Sequence, residues 1–189
     1  MPTWAWIVIA AVAALIVIAA IAAWMQQRKR SDHLKERFGS EYDRTVSEQD
    51  DRKAAEKQLA ERERKREQLD IVPLTPEAQE KYSSSWRDVQ GRFVDDPSGA
   101  VNEADGLVTD VMRERGYPID DFEQRADDIS VDHPDVVQNY RAAHAVYAKA
   151  SDGNGGASTE DLRQGFVHYR ALFTELLETS DRSREEVNR

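Results

Sequence analysis

An uninterrupted apolar run near the N-terminus constrains this chain more than any other feature. From Ala5 to Ala23 there is no charged residue, no Pro and no Gly, and only Trp6 carries a polar side-chain group. Residues 4–24 would form a helix about 31 Å long, which matches a hydrocarbon core of about 30 Å. Trp4, Trp6 and Trp24 lie at its two ends, where indole rings prefer the water–lipid boundary. A buried core helix needs neither this length nor this bracketing. The rival is a cleaved signal peptide, with Ala20-Ile21-Ala22 as its candidate cleavage site. Against it, the first three residues lack a basic group and the run exceeds the roughly 7–15 residues of a signal h-region. The expectation is a retained anchor that meets the lipid bilayer through residues 4–24.

No Lys or Arg precedes the run, whereas Arg28, Lys29, Arg30, Lys35 and Arg37 follow it at once. The positive-inside rule then puts the N-terminus outside and the C-terminal bulk in the cytoplasm. Arg28, Lys29 and Arg30 join the three tryptophans as expected interface residues. The same cations attract anionic headgroups, by about 1 kcal/mol each near the surface.

The net charge of −10 is unevenly placed. Residues 26–70 carry 13 Lys+Arg against 12 Asp+Glu, and residues 71–189 carry 13 against 24. So acidic a globular part repels nucleic-acid phosphates, so no nucleic-acid partner is expected. It is also repelled by an anionic membrane surface. The absence of Cys excludes disulfides, thiolate metal sites and Cys nucleophiles.

Four segments follow: an anchor over 1–27, a charged helical stalk over 28–71, an α-helical globular domain over 72–178 and a disordered polar tail over 179–189. In the stalk, Leu34, Phe38, Tyr42 and Val46 recur every four residues and form a narrow apolar strip, with Gly39-Ser40 weakening the helix there. The strip either docks on a partner helix or headgroups, or packs locally. Further on, Glu48→Arg52 and Glu61→Lys65 are favourable i,i+4 pairs worth a few tenths of a kcal/mol each. A coiled-coil seam through Ala55, Leu59 and Leu69 would also take in Arg62 and Arg66, which argues against a strict coiled coil. The cations from Arg62 to Arg66 alternate with acids and read as a solvated face. A semi-rigid spacer is expected, reaching about 60 Å if residues 31–70 are fully helical.

Beyond Asp70, helix signals dominate. Thr75-Pro76-Glu77 reads as N-cap, N1 proline and first-turn acid, opening a helix to about Val94. Asp96-Pro97 opens a second by the same logic, and Gly116 stops it. A short helix is expected from Asp120 to Asp128, and a fourth from Asp132-His133-Pro134 onward. A glycine-rich loop over 151–157 precedes a capping box at Ser158 and Asp161 and a last helix. No period-two strand appears, so the expected fold is all-α: an N-terminal transmembrane helix, a charged helical stalk, and a C-terminal bundle of four main helices plus one short helix. Its core should be rich in aromatics, from Tyr82 and Trp86 to Tyr169 and Phe173.

Chemistry-bearing patterns are scarce. His144 lies on an apolar helix face between Tyr140 and Tyr147, so these three mark a candidate ligand pocket, with a hydrogen-bonded core histidine as the plainer reading. No H-x-x-x-H or E-x-x-H spacing is present, so no metal is expected. Asp152, Asn154 and Gly156 make only a poor calcium loop, because Arg163 stands where a bidentate Glu is needed. Of the acids at 120, 121, 123, 127 and 128, the first three complement a helix N-terminus and the rest read as solvated. Neither a nucleophile elbow nor a phosphate-binding glycine loop occurs. No catalytic residue and no cofactor are expected.

The stretches RGYPIDDFEQRADDISVDHPDVVQNYRAAHA (115–145) and ERFGSEYDRTV (36–46) resemble a group of bacterial single-span membrane-anchored proteins with a helical cytosolic domain and no assigned activity. The resemblance implies a bacterial plasma-membrane address and lends no functional residue. The leading expectation is a non-enzymatic, membrane-tethered interaction or scaffold protein with an unknown protein partner and scope for self-association. Phe38, Tyr42, Tyr117 and Asp121 are its candidate partner surface. The alternatives are a ligand-sensing or catalytic domain around His144, and a structural envelope protein of opposite topology.

Overall fold

The computed structural model describes residues 3–49, 51–151 and 156–187, with side chains described between Val12 and Thr179. These residues form eight helices and no strand. The first, α1 (Thr3–Phe38), is unbroken from the apolar run into the stalk. At 36 residues it is about 54 Å long. It is long and apolar enough to cross a bilayer, and from Val12 onward none of its apolar stretch is buried among the described residues. Leu15, Ile16 and Ile18 are each more than 60% exposed, which rules out a core helix.

The stalk does not extend. Gly39 (φ 48°, ψ −124°) breaks the chain direction, and α2 (Ser40–Glu48) and α3 (Arg52–Glu67) fold against the exit segment of α1. The helices α1 and α3 run the same way here. Glu56 meets Gln27 and Ser31, Glu63 meets His33 at 2.9 Å, and Arg37 and Arg66 converge on Asp132. A small core of Leu34, Phe38, Tyr42, Leu59 and Val131 closes between them.

This corrects the 60 Å spacer. Burying each large apolar side chain contributes about 1.5–3 kcal/mol, against a few tenths for each i,i+4 pair that would favour a free helix. The seam through Ala55, Leu59 and Arg62 is buried after all, because Arg62 finds carboxylates inside.

The bundle follows the local signals closely. In α4 (Pro76–Arg92), the Thr75 hydroxyl accepts from the Ala78 amide at 3.1 Å. In α5 (Pro97–Arg115), Asp96 caps the Gly99 amide and Gly116 ends the helix at φ 97°. The short helix α6 (Phe122–Asp132) starts at its Asp121 cap and runs past the expected end at Asp128, since its last turn packs Ile129 and Val131 inward. That displaces the start of α7 (Val137–Ser151), leaving His133 to cap α6. The helix α8 (Thr159–Val187) opens with a reciprocal box, Ser158 amide to Asp161 and Asp161 amide to Ser158. Its described residues run to Val187, in a stretch without Pro or Gly.

In the bundle, α8 lies against α5 and α7, and α4 against α5. Trp86 stacks on Phe166 and Phe173 at centroid distances of 5.0 and 4.6 Å. Tyr169, fully buried, donates to Asp105 at 2.8 Å. One link between the two parts is α6, which touches α1, α3 and α7.

Candidate functional site

The stalk–bundle junction is built on charge. Along α3, Arg62, Lys65 and Arg66 fall on one face at helical spacing, and α6 opposes them with Asp127, Asp128 and Asp132. Arg62 pairs with Asp127 at 2.7 Å, Lys65 with Asp128 at 2.9 Å, and Arg66 with Asp132. Asp128 is therefore not solvated, and Arg62, Lys65 and Arg66 are not a free face. Asp128 is 1% exposed. Its burial pushes the carboxyl above its ordinary range, and the Lys65 ammonium only partly offsets this.

Beside this ladder lies Glu41, fully buried in the first turn of α2, where the Gly39 break turns it inward. One oxygen accepts from Arg44, Arg62 and Arg141 at 2.9–3.0 Å, the other from Arg44 and from Gln138 at 2.7 Å. Burial acts to raise the Glu41 pKa, but Arg44, Arg141 and Arg62 outweigh it and hold the carboxyl below its ordinary value. The Nε atoms of Arg62 and Arg141 are buried without a partner among the described residues.

The three arginines open onto a cleft of about 530 Å³. One wall is the His144 ring, stacked on Phe122 at 3.5 Å and 6°. His144 is half-buried at the cleft wall, held by its ring contacts with Phe122 and Tyr147. Burial lowers its pKa, favouring the neutral ring. The cleft is close to neutral, because Glu48, Glu123 and Asp127 oppose Arg44, Arg62 and Arg141. It offers stacking and guanidinium donors, without a nucleophile beside a base. No group of three metal-ligating side chains occurs among the described residues.

The expected site residues separate. Phe38, Tyr42 and Tyr117 are at most 3% exposed, so they form no partner surface. Phe38 and Tyr42 fill the stalk core, and Tyr117 donates to Asp132 at 2.6 Å. Asp121 is exposed, but its carboxylate caps α6. Tyr140 is buried behind the cleft and accepts from Arg125 at 3.0 Å, while Tyr147 lies 5.5 Å from His144 on the core side. The pocket beside His144 is thus walled by Phe122 and arginines instead of the two tyrosines. Trp24 is 61% exposed with the Arg28 guanidinium over its ring, and Lys29 and Arg30 are exposed. The Trp4 and Trp6 side chains, and Asp152 and Asn154, lie outside the described residues. Glu41, Arg62 and Arg141 carry no local signal. Glu41 does sit between Phe38 and Tyr42 on the apolar strip, where a solvated acid is out of place.

No protein-family model, curated protein or solved structure matches the chain.

Proposed function

We propose that the chain is a non-enzymatic, membrane-anchored interaction module that holds an acidic helical body at a fixed place on the inner face of a bacterial plasma membrane. One observation carries this reading: α1 passes without a break from an uncovered apolar segment into the packed core at Leu34 and Phe38. Because Glu41 and the α3–α6 ladder tie that core to the bundle, the body cannot swing freely about its anchor. A fixed orientation serves a scaffold that presents one surface to neighbours in the membrane. The length of the apolar run and the absence of a basic residue before it favour retention over cleavage. The basic residues that follow the apolar run favour an N-out, C-in orientation. The net negative charge beyond residue 70 suits a basic protein partner.

In-cell photo-crosslinking of the tagged full chain tests this. Wild type is expected to recover a reproducible set of neighbours, which Asp88→Lys with Asp95→Lys, both exposed positions, depletes. Recovery no different from that of the apolar segment alone, or insensitive to charge reversal, contradicts the module. A C-terminal reporter active only outside the cytoplasm should stay silent; activity would favour an envelope protein of opposite topology.

The cleft beside the Phe122–His144 stack favours a second reading, in which the body senses a small planar ligand. Ligand-induced thermal stabilisation that disappears in His144→Ala would move the assignment there.

A further inference from the structure

The residues that follow the apolar run do more than neutralise the membrane surface. Arg28 and Lys35 leave the bilayer on one side of α1, and the fold-back brings Arg52 and Lys53, from the first turn of α3, opposite them. Together they surround a cleft of about 440 Å³ with Trp24 at its lower rim. Four cations thus meet two acids, Asp32 and Glu56. Glu56 is not available to a cation. It is 4% exposed and accepts from Ser31 at 2.7 Å, Tyr42 and Arg52 at 2.9 Å, and Gln27 at 3.0 Å. Its role is to fix the two helices at the spacing that opens the cleft.

Arg28, Lys35 and Arg52 have defined places around the cleft. Arg52 is engaged through Nε alone among the described residues, to Glu56 and Tyr42. The outer donors of its fork remain, and that geometry suits phosphate oxygens. Arg28 lies 5.6 Å over the Trp24 ring and Lys35 5.6 Å over the Tyr42 ring, so both side chains have a defined place. The α3 N-terminus is already capped by Asp51, which accepts from the Lys53 amide at 3.0 Å, so side chains rather than amides make the site.

Depth decides what the ligand is. Arg28 and Ser31 lie one and two turns beyond Trp24, about 6 and 10 Å above it along the helix. The polar layer of a bilayer is about 5–8 Å thick on each side. With Trp24 at the hydrocarbon edge, the cleft opens at the level of lipid phosphates.

We propose that this cleft binds the phosphate of an anionic phospholipid, with its acyl chains descending past Trp24 and its headgroup held by Arg28, Arg52 and Lys53. The proposal rests on α1 spanning the membrane. The lipid would then pin α3, and with it the whole body, to the bilayer surface.

Alkaline carbonate extraction of cell membranes comes first: release of the chain overturns the spanning helix itself. The full chain is then placed in nanodiscs of phosphatidylcholine with one part in four phosphatidylglycerol, and native mass spectrometry counts the lipids retained on release. Wild type should retain phosphatidylglycerol several-fold over its share, and Arg52→Gln with Lys53→Gln should bring retention back to that share with helicity unchanged. The same charge loss outside the cleft, Lys57→Gln with Arg64→Gln, should leave it intact. No preference in wild type, or an equal loss in the control pair, overturns the headgroup site. Retention of inorganic phosphate without any preference for phosphatidylglycerol would assign the cleft to a free anion and overturn the lipid.

Discussion

Glu41 has five hydrogen bonds aimed at two oxygens that lie entirely out of water. Removing a carboxylate from such a cluster leaves guanidinium groups buried without their counter-charge, a loss of about 3–5 kcal/mol for a buried pair broken on one side. Glu41→Ala is therefore expected to unfold the full chain in detergent at markedly lower temperature than wild type, read by circular dichroism. The pH dependence has a definite sign. The folded state holds Glu41 below its ordinary value, so its contribution is complete above about pH 4.5 and fades as pH falls through the lower folded value. The gap between wild type and Glu41→Ala should narrow over that acid window, and a constant gap would contradict the charge account.

At the scale of elements, two glycines control direction. Gly39 (φ 48°) turns α1 into α2, and an added Cβ there would meet nothing within 4 Å. Gly39→Ala thus costs backbone strain alone, of order 1–3 kcal/mol. Gly116 (φ 97°) adds a clash to its strain, since a Cβ would lie 2.4 Å from the Asp70 carbonyl. Gly116→Ala should be the more destabilising in thermal melts, and the reverse order would contradict the packing of the 68–75 connection against α5. Most helix boundaries were legible because their signals are local: Thr75-Pro76, Asp96-Pro97, Gly116 and the Ser158–Asp161 box each act within one turn. The stalk was not legible, because what folds it back is a match between α3 and α6 more than sixty residues apart. A local rule sees Arg62, Lys65 and Arg66 among acids and reads a solvated face. The apolar strip through Leu34 and Phe38, left with nothing to cover it on a lone helix, hinted that the stalk packs against something. His144 shows the same limit in reverse: its apolar neighbours in sequence are Tyr140 and Tyr147, yet its ring stacks on Phe122 from another helix.

Over the whole molecule, these contacts pack the stalk against the exit segment of α1 and against the bundle. A 60 Å spacer would let the acidic domain sample a wide volume and would raise the local concentration of its partners only diffusely. On the function proposed above, the folded stalk would give the domain one height and one orientation above the end of α1. Chain length between two points makes the difference measurable, because His33 and Glu63, both at the water-facing edge of the α1–α3 pair, are 2.9 Å apart in the folded stalk. On a continuous helical spacer the same positions would be about 45 Å apart. The chain has no cysteine, so His33→Cys with Glu63→Cys accepts exactly two spin labels, and the exposed pair that is lost contributes little. Double electron–electron resonance on this variant in lipid nanodiscs should give one narrow distribution at well under half of that helical distance. A broad distribution, or one centred near 45 Å, would contradict the folded stalk and the fixed platform built on it.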